Sequence, residues 1–367
     1  MPLDPSVELL WFDSMGAKSS SLCIRGPECV IAVDPGAAEM QPSYPLPAGE
    51  KRRLRRAAAE RIRGCLEEAG AVVISHYHWD HAPRPGGDIL VPELLRGKLV
   101  LAKNPNRYIN ESQWERARRL FEALAGDPGG LYVEPGSCDT PDPVEGLSLA
   151  LSRGFGDYEA RRRELLERGR GWFKRLVGLW CRGPWLAEGA LLGGARVAWV
   201  DGREVEACGV RLRFTEPWFH GVEYDRTGWV VGFEALLPGG RRLFYTSDVM
   251  GPIIEDYAAA IAERRPDILI LDGPPTYLYP YMLNRVNLSR AVENAITIVE
   301  AGIPLVVYDH HLLREARWRE RVKPVLEAAT RAGVELATAA EHLGGRPLID
   351  VLAAGTRARR RRRRGSR

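Results

Sequence analysis

Read for its apolar positions, the chain opens with three runs of strand length, residues 7–12, 21–25 and 29–33. The third ends in Asp34-Pro35-Gly36, a turn that aims a carboxylate out of a strand end. The period then becomes helical: over residues 50–68, Leu54, Ala58, Ile62 and Leu66 recur four apart and predict a buried stripe. The other face carries Lys51, Arg52, Arg53, Arg55, Arg56, Arg61 and Arg63, a solvated surface or, alternatively, a phosphate-contacting one. An apolar run over residues 71–74 predicts the strand that follows.

A strand at 99–102 and a helix at 110–124 come next. Between about residues 154 and 194 the texture turns charged and Trp-rich, which predicts a helical insertion, either a lid over a site or structural packing. Strands are predicted at 196–200, 210–215, 229–237 and 241–245, the last two joined by a hairpin at Pro238-Gly239-Gly240. Helices at 252–264 and 287–300 alternate with buried strands at 267–271 and 304–308. Strand runs with helices between them, twice over, predict two sheets with helices outside.

The chemistry lies where the strand at 71–74 ends, in Ser75-His76-Tyr77-His78-Trp79-Asp80-His81. Three of the seven histidines fall within this one hexapeptide. On extended backbone His76 and His78 project to the same side and can grip one ion, while a turn after Trp79 aims Asp80 and His81 at a second. Imidazoles with a carboxylate suit zinc, with iron or manganese as alternatives. Further candidates stand at element ends: His220, Asp248 after a strand, and Asp309-His310-His311 after another. Singly, His220 reads as a turn residue, Asp248 as a helix cap and His310 as a strand terminus. Their order behind H-x-H-x-D-H points to ligands.

That series, with Asp34 on an early strand, resembles the metallo-β-lactamase fold superfamily over residues 7–345. The resemblance implies an α+β fold, a four-layer αββα sandwich. It implies that His76, His78 and His220 bind one metal, that Asp80, His81 and His310 bind the other, and that Asp248 bridges them. The stretch Asp309-His310-His311-Leu312-Leu313-Arg314 is similar to the T-H-x-x-x-R segment of the branch containing ribonuclease Z, with His311 as the second choice for the ligand. Two cations about 3.5 to 4 Å apart share a water, lower its pKa and clamp the attacking and leaving oxygens. On this reading Asp80 also orients the hydroxide, His311 is a candidate general acid, and Asp34, Asp272 and Asp309 are candidates to accept the outer N–H of ligand imidazoles.

The substrate stays open. A metal-dependent hydrolase is the primary expectation, acting on a phosphodiester in RNA or DNA, or on a small lactone, ester or thioester with Tyr277, Tyr279 and Tyr281 lining its pocket. A non-catalytic metal-binding regulator is the third alternative. Apolar content of 45% and charged content of 27% are those of a globular protein, and the apolar runs are too short for membrane spans. With no basic-then-apolar N-terminus, a cytoplasmic protein is expected. Residues 356–367 hold eight arginines, so the formal charge of +4 becomes −4 without them. This stretch is expected to be disordered, and either contacts nucleic acid nonspecifically or has no dedicated partner. The remainder, residues 1–355, reads as one metallo-β-lactamase-like domain. Only six of 52 basic residues are Lys and Gln occurs twice, which fits a thermophile or a GC-rich genome. The six cysteines form no C-x-x-C pair and are expected to be small buried hydrophobes rather than disulfides.

Overall fold

The computed structural model describes residues 2–127, 129–189 and 191–355, with the backbone alone described at Leu191 and Leu192. The arginine-rich stretch 356–367, expected to be disordered, lies outside the described residues. One sheet contains β1 (Val7–Phe12), β2 (Ser20–Arg25), β3 (Val30–Val33), β4 (Ala69–Ile74), β5 (Leu99–Ala102), β6 (Leu191–Leu192) and β7 (Ala195–Trp199). Its order is β1-β2-β3-β4-β5-β7-β6, parallel from β3 through β7 and antiparallel at either end. The second sheet holds β8 (Glu204–Ala207), β9 (Val210–Phe214), β10 (Phe233–Leu236), β11 (Arg242–Tyr245), β12 (Ile268–Asp272), β13 (Leu305–Asp309) and β14 (Glu335–Ala337) in chain order. Its first half is antiparallel and its second half, from β11 onward, parallel.

Alternation along the strands sorts the core into layers. On β4, Ala71 and Val73 join a cluster shared with Ile268 and Ile270 of β12, between the sheets. Val72 and Ile74 face the other way, as do Leu269 and Leu271 of β12, into the apolar layer beneath the helices. Strands covered on both faces therefore read as unbroken apolar runs. Helices α1 (Ala48–Glu68) and α2 (Glu111–Ala125) lie on the first sheet; α4 (Glu255–Arg264), α5 (Arg285–Glu300) and α6 (Lys323–Ala332) lie on the second. The helices α1 and α2 bury Ile62 and Leu66, and Trp114, Leu120 and Phe121, respectively. The result is a four-layer αββα sandwich of two mixed sheets flanked by helices, the architecture that the sequence resemblance implies.

The chain departs from the sequence expectation at three places. The run 229–237 is two elements: Trp229–Val230 pairs with Trp218–Phe219 in a separate ribbon, and only Phe233–Leu236 belongs to the sheet. The break falls at Gly232, where a Cβ would stand 2.7 Å from the Tyr245 carbonyl oxygen. Lys51 does not join the charged face of α1: it is buried, and its ammonium donates to the carbonyls of Gln41 (2.7 Å) and Pro42 (3.0 Å). The insertion follows the packing alternative: helix α3 (Glu159–Arg182) turns Trp172, Phe173 and Trp180 onto Trp229 of that ribbon. Finally, all six cysteines are paired, Cys23 with Cys65, Cys29 with Cys208 and Cys138 with Cys181.

Among the described residues no helix is long and apolar enough to cross a membrane. The disulfides close loops of 42, 179 and 43 residues. Chain entropy alone assigns about 4 kcal/mol to each shorter loop and about 5 kcal/mol to the longest. Thermal melts with and without a phosphine reductant should show a lower Tm on reduction, and Cys29→Ser with Cys208→Ser should cost the most. An unchanged Tm would count against these pairings.

Candidate metal centre

Five segments of the site leave the carboxyl ends of parallel strands, β3, β4, β11, β12 and β13, where open α/β sheets place their ligands, while His220 follows the antiparallel ribbon of Trp218–Phe219 and Trp229–Val230. At the end of β4, Ser75 is pinned by Asp34, which accepts its backbone N–H at 2.7 Å and its hydroxyl at 2.5 Å. The backbone then turns tightly, His81 and Ala82 both donating to the His78 carbonyl (2.9 and 3.0 Å), which folds His81 back toward His76. Gly36 lies against this turn, and a Cβ there would meet the His81 nitrogen at 2.4 Å, so no larger residue fits. Three non-glycine residues at strand ends, Asp34 (φ 44°), Ser247 (φ 55°) and His310 (φ 59°), adopt the left-handed conformation. Such positions cost about 1–3 kcal/mol each and persist where surrounding packing dictates them.

The side chains converge on Asp248, which is buried. Its Oδ2 lies 3.2 Å from His310 Nε2, 3.3 Å from His220 Nε2 and 3.6 Å from His76 Nε2, while Oδ1 is 3.2 Å from His81 Nε2. His311 Nε2 is farther, at 4.0 Å. Ligand atoms of His76, His78, His220 and Asp248 lie within 4.8 Å of one another, as do those of Asp80, His81 and His310, and those of Asp248, His310 and His311. His76 Nε2, His220 Nε2 and Asp248 Oδ1 are buried without hydrogen-bond partners. Orphaned donors and acceptors that share one centre suit a cation better than one another.

Behind this cluster stand carboxylates that fix ring orientation. His81 Nδ1 is 2.8 Å from Asp34 Oδ2, His310 Nδ1 is 3.0 Å from Asp13 Oδ1, and His311 Nδ1 is 2.9 Å from Asp272 Oδ1. Each pairing leaves Nε2 facing the centre. Tyr245 adds its hydroxyl to Asp34 at 2.7 Å, and Arg314 donates Nε to Asp13 at 2.5 Å.

Burial holds His76 and His78 well below the ordinary imidazole range, which keeps them neutral as ligands require. Burial would lower His81 too, but Asp248 and Asp34 outweigh it and push it up to about 10. His310 is raised in the same way, with Asp248 and Asp13 overcoming burial. For Asp80 and Asp248, burial is overridden by surrounding cationic groups, and both carboxyls are held well below their usual range. A cation would replace the protons on His81 and His310.

Of the sequence candidates, His76, His78, Asp80, His81, His220, Asp248, His310 and His311 are all brought together. Asp34 and Asp272 face imidazole nitrogens as expected. Asp309 does not: it accepts the backbone N–H groups of Ser14, His310 and Ala339. The residue in the expected role is Asp13, 297 positions from His310, and no spacing rule reaches it. Nor do the tyrosines form a common wall. Tyr277 meets Arg314, but Tyr279 lies against Arg321 and Tyr281 is 95% exposed.

No family model matches the chain. It is 30% identical to a UPF0282 protein of Aeropyrum pernix over 93% of this chain and 94% of that one, and 30% identical to one of Pyrobaculum islandicum over 91% and 88%. The chain belongs to the UPF0282 family. A third UPF0282 relative, from Methanopyrus kandleri, is 29% identical over 91% of this chain and 92% of its own. Among solved structures the UPF0282 chain is similar to a metallo-beta-lactamase from Cronobacter sakazakii (15% identity, 90% of this chain and 94% of that one, TM-score 0.34). It is also similar to a possible metal-dependent hydrolase from Veillonella parvula (11% identity, 88% and 94%, TM-score 0.35).

Asp13→Asn keeps the shape of the side chain but removes the charge behind His310. Metal affinity measured by chelator competition should fall about 10- to 100-fold. Unchanged affinity would show that Asp13 serves Arg314 alone.

Proposed function

We propose that this UPF0282 protein is a binuclear metal-dependent hydrolase. The observation that supports it most is Asp248, a buried carboxylate with four imidazole nitrogens within 3.6 Å. Structural zinc sites are closed four-coordinate cages, whereas this donor set is too large for one ion and has a carboxylate at its middle. His76, His78 and His220 would hold one divalent ion, Asp80, His81 and His310 the other, with Asp248 between them and zinc favoured by the donors. Such a pair supplies water activated near neutral pH and stabilises charge on the attacking and leaving oxygens.

The remaining work falls to side chains. Asp80 is half-buried at the edge of the cluster, placed to orient an attacking water while Arg314, 3.7 Å away, holds its carboxylate. His311 is oriented by Asp272, and burial pushes that carboxyl up to about 7 while it lowers the imidazole. Held in this way beside the cluster, the imidazole is our candidate for passing a proton to a leaving group. His310 is the better ligand of the two adjacent histidines, since its Nε2 is the nearer to Asp248.

Elemental analysis of purified protein should find about two divalent ions per chain, and fewer after Asp248→Ala or His76→Ala. A panel of phosphodiester, lactone and thioester substrates decides the bond; lactone turnover without phosphodiesterase activity would remove the nuclease reading. Metal absent from the wild-type protein would remove the hydrolase reading itself. For the arginines of 356–367 we propose nonspecific nucleic-acid contact. Deleting them should flatten the salt dependence of DNA binding and spare turnover of a small ester, whereas loss of both would tie the stretch to the site.

A further inference from the structure

A cavity of about 520 Å³ opens beside the metal loop. Trp79 and Ala82 form one wall, Ala37 and Ala38 another, and Arg84 and Leu90 also line it. Trp79 and Ala82 flank Asp80 and His81, so cavity and metal centre share a single turn of backbone. The small side chains keep it open, and Trp79 offers an aromatic surface.

Its charges are unevenly matched. Arg55 is neutralised by Asp88 through two bonds of 2.9 and 2.5 Å, and Arg56 approaches the same carboxylate at 3.7 Å. Glu39, the other acidic group on the wall, is exposed. By contrast Arg84 lines the cavity and the Arg116 guanidinium stands 5.6 Å from the centre of the Trp79 ring. The Asp80 carboxylate attracts Arg116 from beyond ion-pair distance, while Arg84 and Arg119 repel it. Among the described residues none of these three arginines has a carboxylate within ion-pair distance. Arg116 is moreover half-buried, so its charge is only partly solvated. Two guanidinium groups beside one aromatic ring, neither of them in an ion pair, match phosphate, which they bind through paired, charge-assisted hydrogen bonds.

We propose that this recess receives a phosphate group of the substrate, held by Arg84 and Arg116, with an apolar or aromatic portion against Trp79. The assignment of this group to a substrate rests on the hydrolase reading above; the anion recess itself does not. It selects the phosphoester class over neutral lactones and esters.

The test is calorimetric titration of phenyl phosphate into the full chain after chelator treatment, comparing wild type with Arg84→Gln/Arg116→Gln. The arginines of 356–367 are common to both proteins and cancel. Binding should weaken about tenfold or more in the double variant. Arg84→Gln alone, which alters an exposed side chain, should show part of the loss and guards against misfolding. Equal affinities for wild type and both variants would overturn the proposal. With metal restored, the double variant should raise KM for p-nitrophenyl phosphate and leave KM for p-nitrophenyl acetate unchanged; equal rises would also overturn it. Should the wild type hold no metal and cleave neither ester, yet the phenyl phosphate difference persist, the hydrolase reading fails and the anion recess stands.

Discussion

A carboxylate without water needs positive charge nearby, and Asp248 is surrounded by imidazoles that are themselves buried. Hydrogen bonding among them satisfies only part of the set, since His76 Nε2, His220 Nε2 and Asp248 Oδ1 lack partners. Desolvating so many polar atoms is costly unless something binds them together. Divalent cations would do so, and the rest of the site can be understood as the apparatus that holds these atoms apart and aimed until they are bound. That is why carboxylates stand behind three of the rings: each takes one nitrogen and leaves the other free to point inward.

Rigidity at the centre is supplied from outside it. His220 lies on a loop with no long strand of its own, held by the short ribbon of Trp218–Phe219 and Trp229–Val230. Helix α3 stacks Trp172 on Trp229 with rings nearly parallel at 5.7 Å, and Phe219 packs on the same indole at 5.2 Å. Aromatic packing of this kind holds a loop residue with the precision of a strand residue. The insertion is thus a buttress for the loop of His220, and the cavity that opens by Trp79 is lined by other residues.

What could be read from residue order alone follows from how far each interaction reaches. The hexapeptide announces itself because four donors sit within six positions. His220, Asp248 and His310 were legible by order and by standing at element ends, and both sheets followed from apolar runs separated by helical periods. Asp13 was illegible: its pairing spans nearly the whole chain, and an acidic residue after a strand has many ordinary explanations. Lys51 misled because its helical position is that of a solvated charge, and only the carbonyls of Gln41 and Pro42 draw it inward. The cysteines misled for the opposite reason. Pairs separated by 42 to 179 residues carry no local spacing signal, and the expectation of a cytoplasmic protein brings with it that of reduced thiols.

The misplacement of Asp309 shows how the site is tied together. Its carboxylate, at the end of β13, accepts the N–H of Ser14 at 3.0 Å, that of His310 at 2.7 Å and that of Ala339 at 2.8 Å. Ser14 directly follows Asp13, so the group that fixes the backbone of His310 also fixes the turn bearing the partner of its imidazole. In register, Asp309 lies beside Asp272 of β12, which in turn holds Met250 beyond Asp248 and the ring of His311. Two neighbouring strand-end carboxylates therefore anchor, through backbone and ring nitrogens, the segments that carry Asp13, Asp248, His310 and His311. Burial pushes both carboxyls up, Asp309 to about 6 and Asp272 to about 7, so each gives up solvation to hold that arrangement. Asp309 is then a positioning residue for His310 rather than a partner of its ring, which explains a carboxylate directly before this histidine without any contact to the imidazole.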